Sequence, residues 1–171
     1  MTEIPALTDL EFLPFIDSDG QLPEQFQGRV GIYAIFDQTK TLKYIGFSRD
    51  VFLSLRQHLV RCVSDCYWVK VQIIDRPNRT ILETIRSAWL DGTTISDEAR
   101  WTQPIQVKEL MTDEERSTFE NAIDEPGQIK ALKNAARRVE SEIMTQLKAR
   151  NVQAEIRFNP KLKEEGLLDL K

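Results

Sequence analysis

The side chains best equipped for chemistry cluster in the first half of the chain. His58 is the sole histidine, and Cys62 and Cys66 are the sole cysteines. They fall at i, i+4 and i+8, so a helix running that far would bring all three to one face. Two outcomes are open for them. Imidazole and thiolate are zinc ligands, with a fourth ligand needed from elsewhere. Cysteine is equally at home as a small apolar filler of a core. Upstream, Tyr33 and Tyr44 stand in two tripeptides, Gly31-Ile32-Tyr33 and Tyr44-Ile45-Gly46. On strands, tyrosines are ordinary packing residues and glycines permit close backbone approach. Arg49, Arg56, Arg61 and Lys70 supply cations that could face phosphate. Trp68, Trp89 and Trp101 are expected in the core.

The elements that must position these groups follow from periodicity. Residues 1–27 contain Pro5, Pro14 and Pro23 among scattered apolar residues, a density that disfavours a long helix. An extended arm is expected there, laid on the core through its aromatics. In RVGIYAIFD, Ile32, Ala34 and Phe36 fall on one strand face and Tyr33 and Ile35 on the other. A polar turn, Asp37 to Thr41, leads into LKYIGFS, which predicts a hairpin. Ser48 is a candidate N-cap for a helix whose stripe is Val51, Leu55, Leu59 and Cys62. YWVKVQII (Tyr67 to Ile74) predicts a strand. RTILETIRSAWL after Asn78 predicts a helix ended by Asp91-Gly92. Thr112 with Glu115 forms a capping-box pattern. Ile129, Leu132, Ala136, Val139, Ile143 and Leu147 form a long amphipathic stripe. Val152, Ala154, Ile156 and Phe158 alternate and predict a late strand.

With strand, turn, strand, helix, strand, helix in that order, and the two tripeptides on the paired strands, residues 28–91 resemble the GIY-YIG endonuclease family, which is named for those tripeptides. The resemblance implies an α+β fold: a small three-stranded antiparallel sheet flanked by helices. An N-terminal arm (1–27) and a helical extension with a late strand (92–171), packed on the same domain, are added to it. It implies cleavage of nucleic-acid phosphodiesters with one divalent metal ion, Mg²⁺ or Mn²⁺. It places Tyr33, Tyr44 and His58 in the site and makes Glu83 the metal-binding carboxylate. A hard cation prefers carboxylate oxygen and activates water. The family's helix arginine is not matched, because that position is Ser54. Arg56 lies two residues on, about 200° further round a helix. Preorganised charge at a reacting phosphate is a large catalytic term. The chain is therefore expected to be weakly active or inactive as a nuclease. The alternative is a non-catalytic binding or regulatory module that retains the fold.

Composition bounds the partners. With 171 residues, 41% apolar and 29% charged, the chain can bury a core without disulfides or metals, and no run spans a bilayer. The first residues are acidic and lack a basic region, so no secretory signal is expected. The predicted location is cytoplasmic, or stromal if a transit peptide has been removed. The net charge of −4 is unevenly spread: −6 over residues 1–27, +5 over 28–90, −7 over 91–127 and +4 over 128–171. The basic 28–90 surface suits DNA or RNA, and the acidic arm suits a protein partner.

Overall fold

The structure, a computed structural model, describes residues 4–171. The first three residues of the expected arm, Glu3 among them, lie outside the described residues. The chain divides into two compact units, Met1–Trp101 and Thr102–Lys171. Residues 92–101, on the far side of the charge border at 91, thus go with the first unit.

The first unit contains β1 (Leu13–Pro14), β2 (Gly31–Phe36), β3 (Leu42–Ser48), α1 (Val51–Arg61), β4 (Trp68–Ile73) and α2 (Arg79–Leu90). A short helix, α3 (Glu98–Thr102), runs up to the division. The fold is α+β, but the sheet has four strands, not three. Its order is β1-β4-β2-β3, and every pairing is antiparallel. The added strand comes from the arm, where Leu13 pairs with Val69 and Pro14 with Trp68. Proline is tolerated there because β1 is an edge strand, with no ladder N–H required on its outer side.

Strand β2 is buried along its whole length, because both faces of the sheet are covered. Ile32, Ala34, Phe36 and Ile45 join Leu82, Ile85 and Trp89 of α2 in one core. Tyr33, on the opposite face by alternation, meets α1. The α1 stripe, Val51, Leu55, Leu59 and Cys62, is fully buried. Helix α1 begins at Val51, and its N-cap is Asp50, whose carboxylate accepts from Leu53 N–H, rather than the expected Ser48. Ser48 instead braces the turn, its Oγ accepting from Asp50 N at 3.0 Å. Asn78 caps α2 through Ile81 N–H.

The arm is part of this core rather than an appendage. Phe15, Leu22 and Phe26 are buried. Lys70 Nζ donates to Leu7 O at 3.1 Å and lies 4.1 Å from the centroid of the Phe12 ring. The Trp89 indole donates to Pro5 O at 2.9 Å. The acids Asp9, Glu11, Asp17, Asp19 and Glu24 face outward.

In the second unit, β5 (Ile105–Gln106), α4 (Asp113–Glu120), α5 (Glu125–Ala149), α6 (Pro160–Lys163) and β6 (Leu167–Leu168) follow in order. Thr112 and Glu115 form the complete capping box of α4. Helix α5 buries the stripe Leu132, Ala136, Val139, Ile143 and Leu147. The late strand over Val152–Phe158 does not form. That stretch alternates in burial but has no ladder partner beyond a single bridge, Phe158 to Leu170. Strand β6 pairs with β5 instead.

If the arm is core, Phe15→Ala leaves a cavity and lowers stability by about 3–5 kcal/mol. Urea unfolding followed by tryptophan fluorescence measures this, and a loss of under about 1 kcal/mol would return the arm to the status of an appendage.

Candidate functional site

The hairpin and α1 bring three of the four expected catalytic side chains together. Tyr33 Oη and His58 Nε2 are 2.7 Å apart in the interior. The Tyr44 ring stands edge-on to both, at 6.4 Å from Tyr33 and 5.0 Å from His58. Trp101 closes the cluster, 5.3 Å from Tyr44 and 5.6 Å from His58. The glycines of the two tripeptides have steric reasons. A Cβ at Gly46 would lie 2.9 Å from Tyr33 Oη, and one at Gly31 would lie 2.5 Å from Gln72 O on β4.

This cluster is dry. Burial, and secondarily the positive charge of Arg61, push the His58 imidazole down to about 3, so the ring is neutral. Burial raises the Tyr33 phenol above its usual range, reinforced by Tyr44 and opposed by a hydrogen bond with Ser54. Tyr44 is raised by burial as well. Ser54, at the position where the resemblance expects an arginine, therefore faces Tyr33. Its hydroxyl also donates to Ser48 Oγ at 2.6 Å. Arg56 is half-buried on α1, turned away from this face by the helix geometry.

Glu83 stands apart from the tyrosine–histidine pair. Its carboxylate accepts from Arg79 Nε at 2.7 Å on the exposed side of α2. It shares an open pocket of about 450 Å³ with Tyr44, Gly46, Phe47, Arg86 and Ser87. Arg86 is fixed there: Nε donates to Ile45 O at 2.8 Å and Nη2 to Glu98 at 2.8 Å. Among the described residues, no three His, Cys, Asp or Glu side chains converge as metal ligands. The alternative of a zinc site on His58, Cys62 and Cys66 fails because α1 ends at Arg61. Cys66 Sγ donates to His58 O at 3.5 Å, and Cys62 Sγ points to Arg100 O at 3.9 Å.

The expected phosphate-facing cations also separate. Lys70 is buried beneath the arm, so it is not part of a ligand-facing surface. Arg61 donates through Nη1 to Trp101 O at 2.8 Å and serves the aromatic cluster. Arg49 is exposed at the entrance to α1. It borders a second cavity, of about 550 Å³, between the end of β3 and the first turn of α2. The place of Trp101 beside Tyr44 and His58, and this cavity, had no local signature in the sequence, since each depends on residues distant along the chain.

No family model matches the chain. It is similar to the bifunctional monothiol glutaredoxin-S16, chloroplastic, of Arabidopsis thaliana, with 28% identity over 88 residues. The match takes in 52% of this chain and 28% of that relative. This corrects the function expected from the two tripeptides: the relative carries the name of a glutaredoxin, a redox protein, and the nuclease and hydrolase assignment is withdrawn. The relative is chloroplastic by name, which lends nothing to the predicted cytoplasmic location. Among the described residues, no helix is long and apolar enough to cross a membrane.

Two measurements probe the dry cluster. The neutral folded His58 titrates near 6.5 once unfolded. Its contribution to stability is full above that pH and is lost as pH falls from about 6.5 towards 3, at about 1.4 kcal/mol per pH unit. Denaturation of wild type and His58→Gln between about pH 7.5 and 4.5 tests the sign, with the variant showing the flatter dependence. Equal slopes would mean that water reaches the ring. The second measurement concerns the thiols. Burial pushes Cys62 up to about 12, and Cys66 is fully buried. Both are expected to resist iodoacetamide at neutral pH until the protein is denatured.

Proposed function

We propose that the first unit is a binding module for a phosphate-bearing polyanion, which it holds without cleaving and without thiol chemistry of its own. The observation that carries this proposal is the row of guanidinium groups along the groove between β3 and α2. Arg49 and Arg79 border one cavity, Arg86 lines the next, and Phe47 is common to both. Guanidinium forks match phosphate oxygens. The surrounding segment, residues 28–90, carries a net +5. Kinship with the GIY-YIG family belongs to the same proposal, supported by the hairpin, its two tripeptides and the helix that follows.

Glutaredoxin chemistry, named for the relative, requires an accessible thiolate of lowered pKa. The cysteines here have the opposite character, being buried, with Cys62 shifted upward. The word "bifunctional" in the relative's name, with a match to 28% of its length, is compatible with a shared part that carries no thiol centre. A module of this kind would act beside a redox domain rather than as one.

Binding of a fluorescent oligothymidylate, followed by anisotropy at several salt concentrations, tests the proposal. Affinity should fall linearly with salt on logarithmic axes. The double substitution Arg49→Ala and Arg79→Ala should reduce the slope by about 0.7 for each phosphate that is no longer neutralised. Absence of salt-dependent binding, or an unchanged slope in the double variant, would reject it.

A further inference from the structure

The groove is not uniform along its length. The pocket beside Arg86 also holds Glu83 and Ser87, whereas the cavity at the start of α2 has an apolar floor formed by Val30, Phe47 and Leu82. Its volume, about 550 Å³, lies within the range of small-ligand pockets, about 300–1,000 Å³. Arg49 and Arg79 stand on its rim. Arg49 has no ion-pair partner among the described residues, and the Arg79 side chain is 84% exposed, with Nε directed to Glu83. Asn78, also in the lining, spends its carboxamide oxygen on the α2 cap, so its NH₂ group is not engaged by that cap. An apolar floor with one aromatic ring, two cations and an amide side chain in the lining match one repeating unit of a nucleic-acid strand. That unit has a flat π-face with hydrogen-bonding edges, flanked by phosphates.

We propose that this cavity seats an unstacked base of a single-stranded nucleic acid, with the neighbouring phosphates on Arg49 and Arg79. The proposal rests on the polyanion-binding function above and narrows it to single strands. In a duplex, the bases are stacked and paired, so their faces cannot enter a cavity of this kind without being extruded. A protein that binds only by charge would favour the duplex, whose charge density is higher. Seating a base reverses that order.

The test uses the full chain and three probes of equal length at one salt concentration: oligothymidylate, its duplex with oligodeoxyadenylate, and an abasic strand with the same backbone. Oligothymidylate is expected to bind about tenfold or more tightly than either of the other two. Phe47 also touches the core around Ile45 and Leu82. Phe47→Leu, which retains apolar bulk but lacks a π-face, is therefore used, with its unfolding midpoint measured alongside. It should lose the preference for oligothymidylate over the abasic strand and keep the salt slope of wild type. Equal affinity for all three probes, with the salt slope intact, would overturn base seating while leaving polyanion binding standing. Failure to bind any probe at low salt would overturn both. A wild-type preference for oligothymidylate that survives in a folded Phe47→Leu would place the base elsewhere and reject this cavity.

Discussion

The hydrogen bond between Tyr33 and His58 is the constraint around which the first unit is arranged. At 2.7 Å and out of contact with water, it satisfies two polar groups that would each be costly to bury alone. Its geometry dictates the neighbours. Gly46 must lack a side chain because Tyr33 Oη occupies the space a Cβ would need. Position 54 faces the same hydroxyl, so a small polar residue fits where a long cation would bring its charge into an apolar enclosure. Trp101 completes the enclosure, and Arg61 holds the Trp101 carbonyl from below. A neutral imidazole, a raised phenol and a half-buried serine amount to one hydrogen-bonded network.

The same burial that stabilises this network also shifts the ionisation of its groups. A general base must meet its substrate, and a thiol nucleophile must be ionised. His58 is held neutral by its burial, and Cys62 is shifted against ionisation for the same reason. One cause, desolvation, thus shifts both groups toward their neutral forms. The charged groups lie elsewhere, along α2, where Arg86 is pinned between Ile45 O and Glu98.

Local patterns in the sequence carried much of the scaffold. Alternation over Gly31–Phe36 correctly divides Ile32, Ala34 and Phe36 from Tyr33, because both faces are packed and the period of two is preserved. The helical stripes at Val51–Cys62 and along α5 are legible for the same reason. What escaped were features that depend on pairing at long range. Pro14 reads as a strand breaker until β4 is seen to offer an edge. Val152–Phe158 reads as a strand because its burial alternates, yet alternation reports only what lies beneath a segment, not whether a neighbour supplies a ladder. Lys70 reads as a surface cation, and only the arm passing over it reveals that its charge is spent on Leu7 O and the Phe12 ring. The site was legible in part: Tyr33, Tyr44 and His58 converge, whereas Glu83 is directed to Arg79 by an i,i+4 pairing absent from the sequence-based expectations.

The arm explains why charge was misleading as a guide to surface. Five described acids of residues 4–27 point outward while Phe15, Leu22 and Phe26 are fixed beneath them. The arm is thus acidic outside and apolar inside, and it cannot swing away to uncover a basic face without opening the core. Regulation by displacement of the arm would require partial unfolding, which is costly when a fully buried phenylalanine must be extracted. No described arm residue lines either cavity along α2, so the arm's fixed position leaves their linings unchanged. Apolar surface and guanidinium groups meet in both cavities, at Phe47 with Arg86 in one and at Val30, Phe47 and Leu82 with Arg49 and Arg79 in the other.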